Sequence, residues 1–163
     1  MQGRGGVWRG VIAGAIGGLA ASWVMPQFQK AVARALGRSG PHEGEDEDAT
    51  VKMARKVSCA VADHELSDEE KKVAGPLVHY AYGTGIGALY GGLAERYRGA
   101  TWGFGSAYGA AAWVLGDEVA IPALRLGKGP KEAPGSRQAQ MLAAHLVYGV
   151  TLEGVRRLVQ MAM

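Results

Sequence analysis

The stretch Gly10-Val11-Ile12-Ala13-Gly14-Ala15-Ile16-Gly17-Gly18-Leu19-Ala20-Ala21-Ser22-Trp23-Val24-Met25-Pro26-Gln27-Phe28-Gln29 decides how the chain is read. It carries no charged residue and has the length, about 20 residues, that a helix needs to cross a hydrocarbon core. Gly10, Gly14, Gly18 and Ser22 recur at every fourth position. That spacing lays them along one helix face. In water each Gly inside a helix costs about 1 kcal/mol relative to Ala. In lipid a small-residue stripe lets two backbones approach, and that contact is what associates the helices. The stretch therefore reads as a membrane span with a packing face.

Three further uncharged stretches lie at 73–94, 99–116 and 138–152. Gly83, Gly87 and Gly91 repeat the four-residue spacing in the first of them, and Gly99, Gly103, Ala107 and Ala111 repeat it in the second. The expected architecture is all-α: one membrane domain over 1–163 with spans at about 8–28, 76–94, 99–116 and 138–155, and a polar, partly helical loop at 30–72. The mean hydropathy of −0.02 hides this, because residues 30–72 hold 8 of the 18 Lys and Arg and 10 of the 15 Asp and Glu. No basic run resembles a nucleic-acid patch, so no nucleic-acid partner is expected. A single cysteine, Cys59, excludes an internal disulfide and a Cys-rich metal site.

The chain reads as two matching halves. Trp23-Val24-Met25-Pro26-Gln27 lies against Trp113-Val114-Leu115-Gly116-Asp117, and His79-Tyr80-Ala81-Tyr82-Gly83 against His145-Leu146-Val147-Tyr148-Gly149. Each half is helix, polar loop, then a helix that opens on His-x-x-Tyr-Gly. The halves then form a tandem, parallel helical-hairpin repeat about an axis along the membrane normal. Arg4 and Arg9 before an apolar run resemble a signal peptide, but a repeated helix is expected to stay in the chain. Gln27, Asp117 and both histidines fall at one end of such a bundle. The other end carries six Arg in short segments. Their density places the N- and C-termini on the cytoplasmic side.

The loops carry local signals. Ser67-Asp68-Glu69-Glu70 is a capping box that starts a helix and leads towards Gly75-Pro76, a candidate kink. Val51, Met53, Ala54, Val57 and Val61 alternate with basic residues, as in an amphipathic surface helix over 50–62. The acidic run 42–48 reads as a solvated loop, and 128–136 as a Gly/Pro-rich connection.

Ionisable groups at membrane depth are the candidate functional residues: His79, His145, Asp117, Glu118 and Glu153, with Gln27, Tyr82 and Tyr148 completing a polar cluster. Three roles fit the His pair. Each His bridges helices through a hydrogen bond; or the pair and its carboxylates handle protons or ions; or the two are trans axial ligands of a b-type haem, or ligands of a metal ion. Glu153 and Arg157 form an i, i+4 ion pair in the favourable order, read as the interfacial end of the last span. Nothing supports nucleophilic catalysis, and Gly83-Thr84-Gly85-Ile86-Gly87 lacks the strand and third Gly of a dinucleotide loop. The expectation is a non-enzymatic structural or accessory membrane component with no assured cofactor. The alternatives are a haem- or metal-binding subunit and an oligomeric small transporter. The expected partners are the lipid bilayer and either further copies of the chain or a larger membrane complex.

Residues 113–122, Trp-Val-Leu-Gly-Asp-Glu-Val-Ala-Ile-Pro, and 145–157, His-Leu-Val-Tyr-Gly-Val-Thr-Leu-Glu-Gly-Val-Arg-Arg, resemble the YagU-like family of bacterial inner-membrane proteins, a domain of unknown function. The His-Leu-Val start and the Glu-x-x-Arg of the last helix are its most specific elements. The resemblance covers about half the chain and implies a polytopic protein of the bacterial inner membrane, without a reaction.

Overall fold

The computed structural model describes residues 4–37, 48–127 and 135–163. Residues 42–47 of the acidic run, and 128–134 of the Gly/Pro-rich connection, lie outside the described residues. Among those described, every regular element is a helix. They are α1 (Arg4–Ala35), α2 (Ala49–Ala62), α3 (Asp68–Arg96), a 3-10 segment (Arg98–Gly105), α4 (Ser106–Trp113), a π-helical segment (Val114–Ala120), α5 (Ile121–Ala123) and α6 (Gly135–Ala162).

The local signals account for the boundaries. Ser67 caps α3: its Oγ accepts the Glu70 N–H at 3.3 Å, and the Glu70 carboxylate accepts the Ser67 N–H at 2.7 Å. The N-cap N–H and one orphan donor of the first turn are thereby used. α1 and α3 run on through Pro26 and Pro76, and the helix capped by Ser67 continues past Gly75-Pro76 into the second apolar stretch. α2 lies against the start of α3, where Val51 and Thr50 fill the space over Gly75. Lys56 of α2 also donates to the Leu124 carbonyl at 2.6 Å.

The stretch 99–116 departs from the expected single helix. Trp102 is extended (ψ 139), while Gly103, Phe104 and Gly105 have φ of 61, 54 and 84. Two glycines make that turn cheap, and Phe104, which has a Cβ, is held there at roughly 1–2 kcal/mol. Gly99 and Gly103 consequently sit in the 3-10 segment, against Tyr97 and Ser106, and not at a helix crossing. Regular helix starts at Ser106 and passes into the π-helical segment around Asp117.

The crossings are made by glycine. Along α1 and α3 the pairs Gly10–Gly91, Gly14–Gly87 and Gly18–Gly83 meet in antiparallel order. A Cβ on Gly87 would lie 2.5 Å from the Gly14 carbonyl oxygen and 2.6 Å from the Gly18 Cα. α6 crosses α1 where a Cβ on Gly17 would sit 2.6 Å from the Leu152 carbonyl oxygen. α4 meets α6 through Gly105–Gly149 and Gly109–His145, again antiparallel; a Cβ on Gly149 would stand 3.0 Å from the Gly109 nitrogen. Thus α1 lies between α3 and α6, and α4 on the other side of α6 reaches α3 through Tyr108, whose hydroxyl donates to the Ile86 carbonyl at 2.6 Å.

Burial is inverted relative to a protein with an oily core. The buried side chains are the small Ala13, Ala21, Ser22, Ala54 and Ala144 and the larger Met25, Tyr90, Leu126, Tyr148 and Leu152, with Glu153 and Arg156 fully or almost fully enclosed. The outward faces carry Trp8, Ile12, Ile16, Leu19 and Trp23 on α1 alone, and Leu77, Leu89 and Leu93 on α3. Among the described residues one helix, Gly6–Ala35, is long and apolar enough to cross a membrane. The other three expected spans fall short of that mark. α3 is diluted by His, Tyr and Gly, the third is broken at 102–105, and α6 contains Glu153 and its arginines.

Candidate functional site

Two polar clusters occupy opposite ends of the bundle. The first is built on Glu153, which the Gly149 and Leu152 crossings bring fully inside (0% exposed). Its Oε2 accepts from the Tyr90 hydroxyl at 2.8 Å and from Arg156 Nε at 2.7 Å. Its Oε1 accepts from Arg156 Nη2 at 3.0 Å and from Arg157 Nε at 2.6 Å. A carboxylate offers about four acceptor positions, and all are filled. Arg156 extends the network through Nη1 to Glu95 at 3.0 Å and to Gln160 at 2.8 Å, and Gln160 also donates to Glu95. The Glu95 side chain reaches Arg156 across α1 at Gly10, where a Cβ would collide with its stem.

The chemistry of this cluster is closed. Two carboxylates and two guanidiniums balance, and each buried oxygen of Glu153 has its donors. Such a network fixes helix register. Breaking it is expensive, because one charge is then left unpaired in a place that water does not reach. The Arg156 guanidinium also lies 5.9 Å over the Tyr90 ring, and that of Arg157 lies 4.7 Å over Phe104.

The second cluster lies at the end where α1 finishes and α6 begins. His145 donates from Nδ1 to the Met141 carbonyl, four residues back, at 2.9 Å. The same nitrogen stands 3.9 Å from the Asp117 carboxylate, with both side chains partly enclosed. The π-helical segment carries Asp117 to this position, in electrostatic range of Glu118 and Tyr82 as well as His145. π-helical insertions recur at functional sites because they re-aim a side chain within a helix. Unlike Glu153, His145 keeps Nε2 without a partner among the described residues.

The other sequence-selected residues separate. His79 points its Nε2 to the Ser22 carbonyl of α1 at 3.0 Å, a helix-to-helix bridge. Tyr148 is buried and donates to the Gly83 carbonyl at 2.6 Å, joining the second His-x-x-Tyr-Gly motif to the first. Its counterpart Tyr82 is more than half exposed and faces Gly116. Gln27 is exposed on α1. The α1 register puts Ser22 opposite His79, and the pairing of Gly17 with Leu152 puts Ala21 and Met25 beside Tyr148 and Ala144. Both histidines thus lie towards the same end. A ligating His normally offers one nitrogen while the other donates to a carbonyl or carboxylate. Each histidine here has one ring nitrogen on a backbone carbonyl and the other without a partner among the described residues, Nε2 at His145 and Nδ1 at His79. Among the described residues no group of three or more His, Cys, Asp or Glu is disposed to hold a metal ion.

Sequence reading took Glu153 with Arg157 as an interfacial pair, met Arg156 only in the Glu-x-x-Arg of the resemblance, and missed Tyr90, Glu95 and Gln160. The available signal was the i, i+3 spacing of Glu153 and Arg156. The tertiary partners Tyr90 and Glu95 carry no such mark, because they reach α6 only through the packing of α3 and α6 on α1.

The fold and its two clusters define the class: an all-helical bundle, glycine-packed, with a sealed ion network at one end and a more open His/carboxylate contact at the other. The chain belongs to DUF1440, a family of proteins of unknown function, whose model matches residues 50–154. That range opens at α2 and closes just after Glu153. No curated protein matches the chain, and no solved structure does.

Proposed function

We propose that the chain is a small integral membrane protein whose four helical stretches, at about 8–28, 76–94, 99–116 and 138–155, form one bundle in the lipid bilayer. The observation that carries this reading is the inverted burial: glycines, small residues and a complete ion network inside, with Trp, Leu and Ile outside. In water such a surface is an aggregation hazard, and glycine-lined crossings waste helix propensity. In lipid both become favourable, since the exterior matches the acyl chains and the interior gains close backbone contact.

The crossings are alike in the two hairpins, three residues out of register with the Trp23–Trp113 match. Gly83 opposes Gly18 in one hairpin as Gly149 opposes Gly105 in the other. His79 then faces Ser22 as His145 faces Gly109, one turn further. The bundle acts as a structural or accessory component of the bacterial inner membrane, without catalysis. The Asp117–His145 contact is its proton-responsive part: a proton on the free Nε2 makes the ring a cation facing a carboxylate. Alkaline carbonate washing of membranes tests the location, with the protein expected to stay in the pellet; release into the supernatant refutes integral insertion. The topology has its own test at exposed Cys59. With both termini cytoplasmic, an impermeant thiol reagent labels it in intact spheroplasts, and labelling only after lysis reverses the orientation.

A further inference from the structure

Arg157 is the one member of the ion network that looks outward. Its side chain is half exposed, while those of Arg156 and Glu153 are enclosed. Its Nε edge is fixed on Glu153 at 2.6 Å, and one face of its guanidinium lies over the Phe104 ring at 4.7 Å. Phe104 stands there because the backbone at Gly103, Phe104 and Gly105 takes the left-handed conformation. A strained aromatic under an oriented guanidinium is the construction of a binding site, since strain persists where surrounding structure over-determines it. Both terminal nitrogens of Arg157 have no hydrogen-bond partner among the described residues, and the planar fork they form matches a phosphate bidentately.

We infer that Arg157, backed by Phe104 and flanked by exposed Trp102, binds the phosphodiester of an anionic membrane phospholipid. The inference rests on the membrane reading above. Three observations choose this occupant. The site lies at the end of the bundle where α3 and the 3-10 segment meet, level with exposed Tyr97 and Trp102, the side-chain types that favour the headgroup region. The same end carries exposed Arg9 and Arg96, which add positive potential. Arg156 is enclosed between the Glu153 and Glu95 carboxylates, so Arg157 is the guanidinium of the network whose outward side a headgroup can reach.

The test is native mass spectrometry of the full chain in mild detergent, titrated with phosphatidylglycerol or with phosphatidylcholine. Wild type is expected to retain phosphatidylglycerol adducts and to lose phosphatidylcholine. Arg157→Gln is expected to weaken retention about tenfold, the worth of a charge-assisted contact. Arg157→Lys keeps the charge but loses the fork, so it should fall between. Phe104→Leu leaves the donors to Glu153 in place, and should weaken retention with the helix content of the bundle unchanged. Equal retention in wild type, Arg157→Gln and Phe104→Leu, or equal retention of the two lipids, overturns the inference while the membrane reading stands. Release of the wild-type protein by carbonate overturns both.

Discussion

The two ends of the bundle use similar groups to opposite effect. At one end Glu153 is wholly enclosed, and both its oxygens are saturated by Tyr90, Arg156 and Arg157. At the other, Asp117 faces His145 at 3.9 Å, beyond a hydrogen bond, and the ring keeps a free nitrogen. The difference teaches what to look for in a bundle of this kind. A buried carboxylate with every acceptor filled has no capacity for proton chemistry and serves register. A partly enclosed carboxylate near a half-engaged imidazole retains capacity, and it is there that protonation can alter contacts.

The largest effect is expected from breaking the saturated end. Glu153→Ala leaves Arg156 almost fully buried with its main partner gone, a loss of about 3–5 kcal/mol. Denaturation in detergent, followed by helical circular dichroism, measures it. A double variant that also replaces Arg156 by Met should recover much of the loss, because the buried cation, left with Glu95 as its remaining carboxylate, is then removed. If Glu153→Ala alone costs less than about 1 kcal/mol, the network is not sealed and the contrast between the ends fails.

The next effect concerns the crossing that holds the two ends at fixed separation. Gly87→Leu drives a side chain into the Gly14 carbonyl and the Gly18 backbone, where nothing flexible can yield. Overpacking of a tight interior costs about 1–3 kcal/mol, and more where only backbone can move. Gly85, two residues away, has no atom within 4 Å of an added Cβ. Gly85→Leu should therefore leave stability unchanged or slightly raised. Equal behaviour of the two variants would mean that α1 and α3 do not cross here.

Substitutions at the open end are expected to be mild. His145→Ala removes one hydrogen bond to the Met141 carbonyl, worth about 1 kcal/mol. Asp117→Asn is expected to cost less than that, since no hydrogen bond joins Asp117 to the ring. A loss at Asp117→Asn as large as that at Glu153→Ala would place a second saturated network at this end.

What the sequence disclosed follows from the range of each interaction. The α1 and α3 stripes were legible because a four-residue glycine period is a property of one helix. The Ser67–Glu70 box was legible for the same reason. The third stretch was misread: Gly99, Gly103, Ala107 and Ala111 satisfy the period, but Gly103 and Gly105 are used for positive φ and Gly105 and Gly109 for the crossing. Period alone does not distinguish a glycine that packs from one that turns. The Glu153 network was half legible, its local arginines visible and its partners on α3 not. At the open end Asp117 and His145 stand 3.9 Å apart, while His79 bridges to the Ser22 carbonyl, the helix-to-helix hydrogen bond that is one of the three readings of the pair.

The smallest effect lies at the water-exposed start of α3, on the side of the open end. The Ser67 N–H and hydroxyl, with His64 beside them, hold the Glu70 carboxyl down at about 2. The ordinary value is 4.5. A carboxyl whose folded value is depressed contributes stability that is fully present above its unfolded value. The contribution then fades as the pH falls from 4.5 towards about 2. Acid should therefore loosen the first turn of α3 and leave the Glu153 network in place, widening the contrast between the ends. The side chain is fully exposed, so the effect is local fraying and not unfolding. A carbon-detected NMR titration of the Glu70 carboxyl checks it directly. A midpoint near the ordinary value would mean that the capping box is not formed in solution. A low midpoint that rises only part of the way in Ser67→Ala, which removes the hydroxyl and keeps the backbone N–H, assigns the depression to the cap.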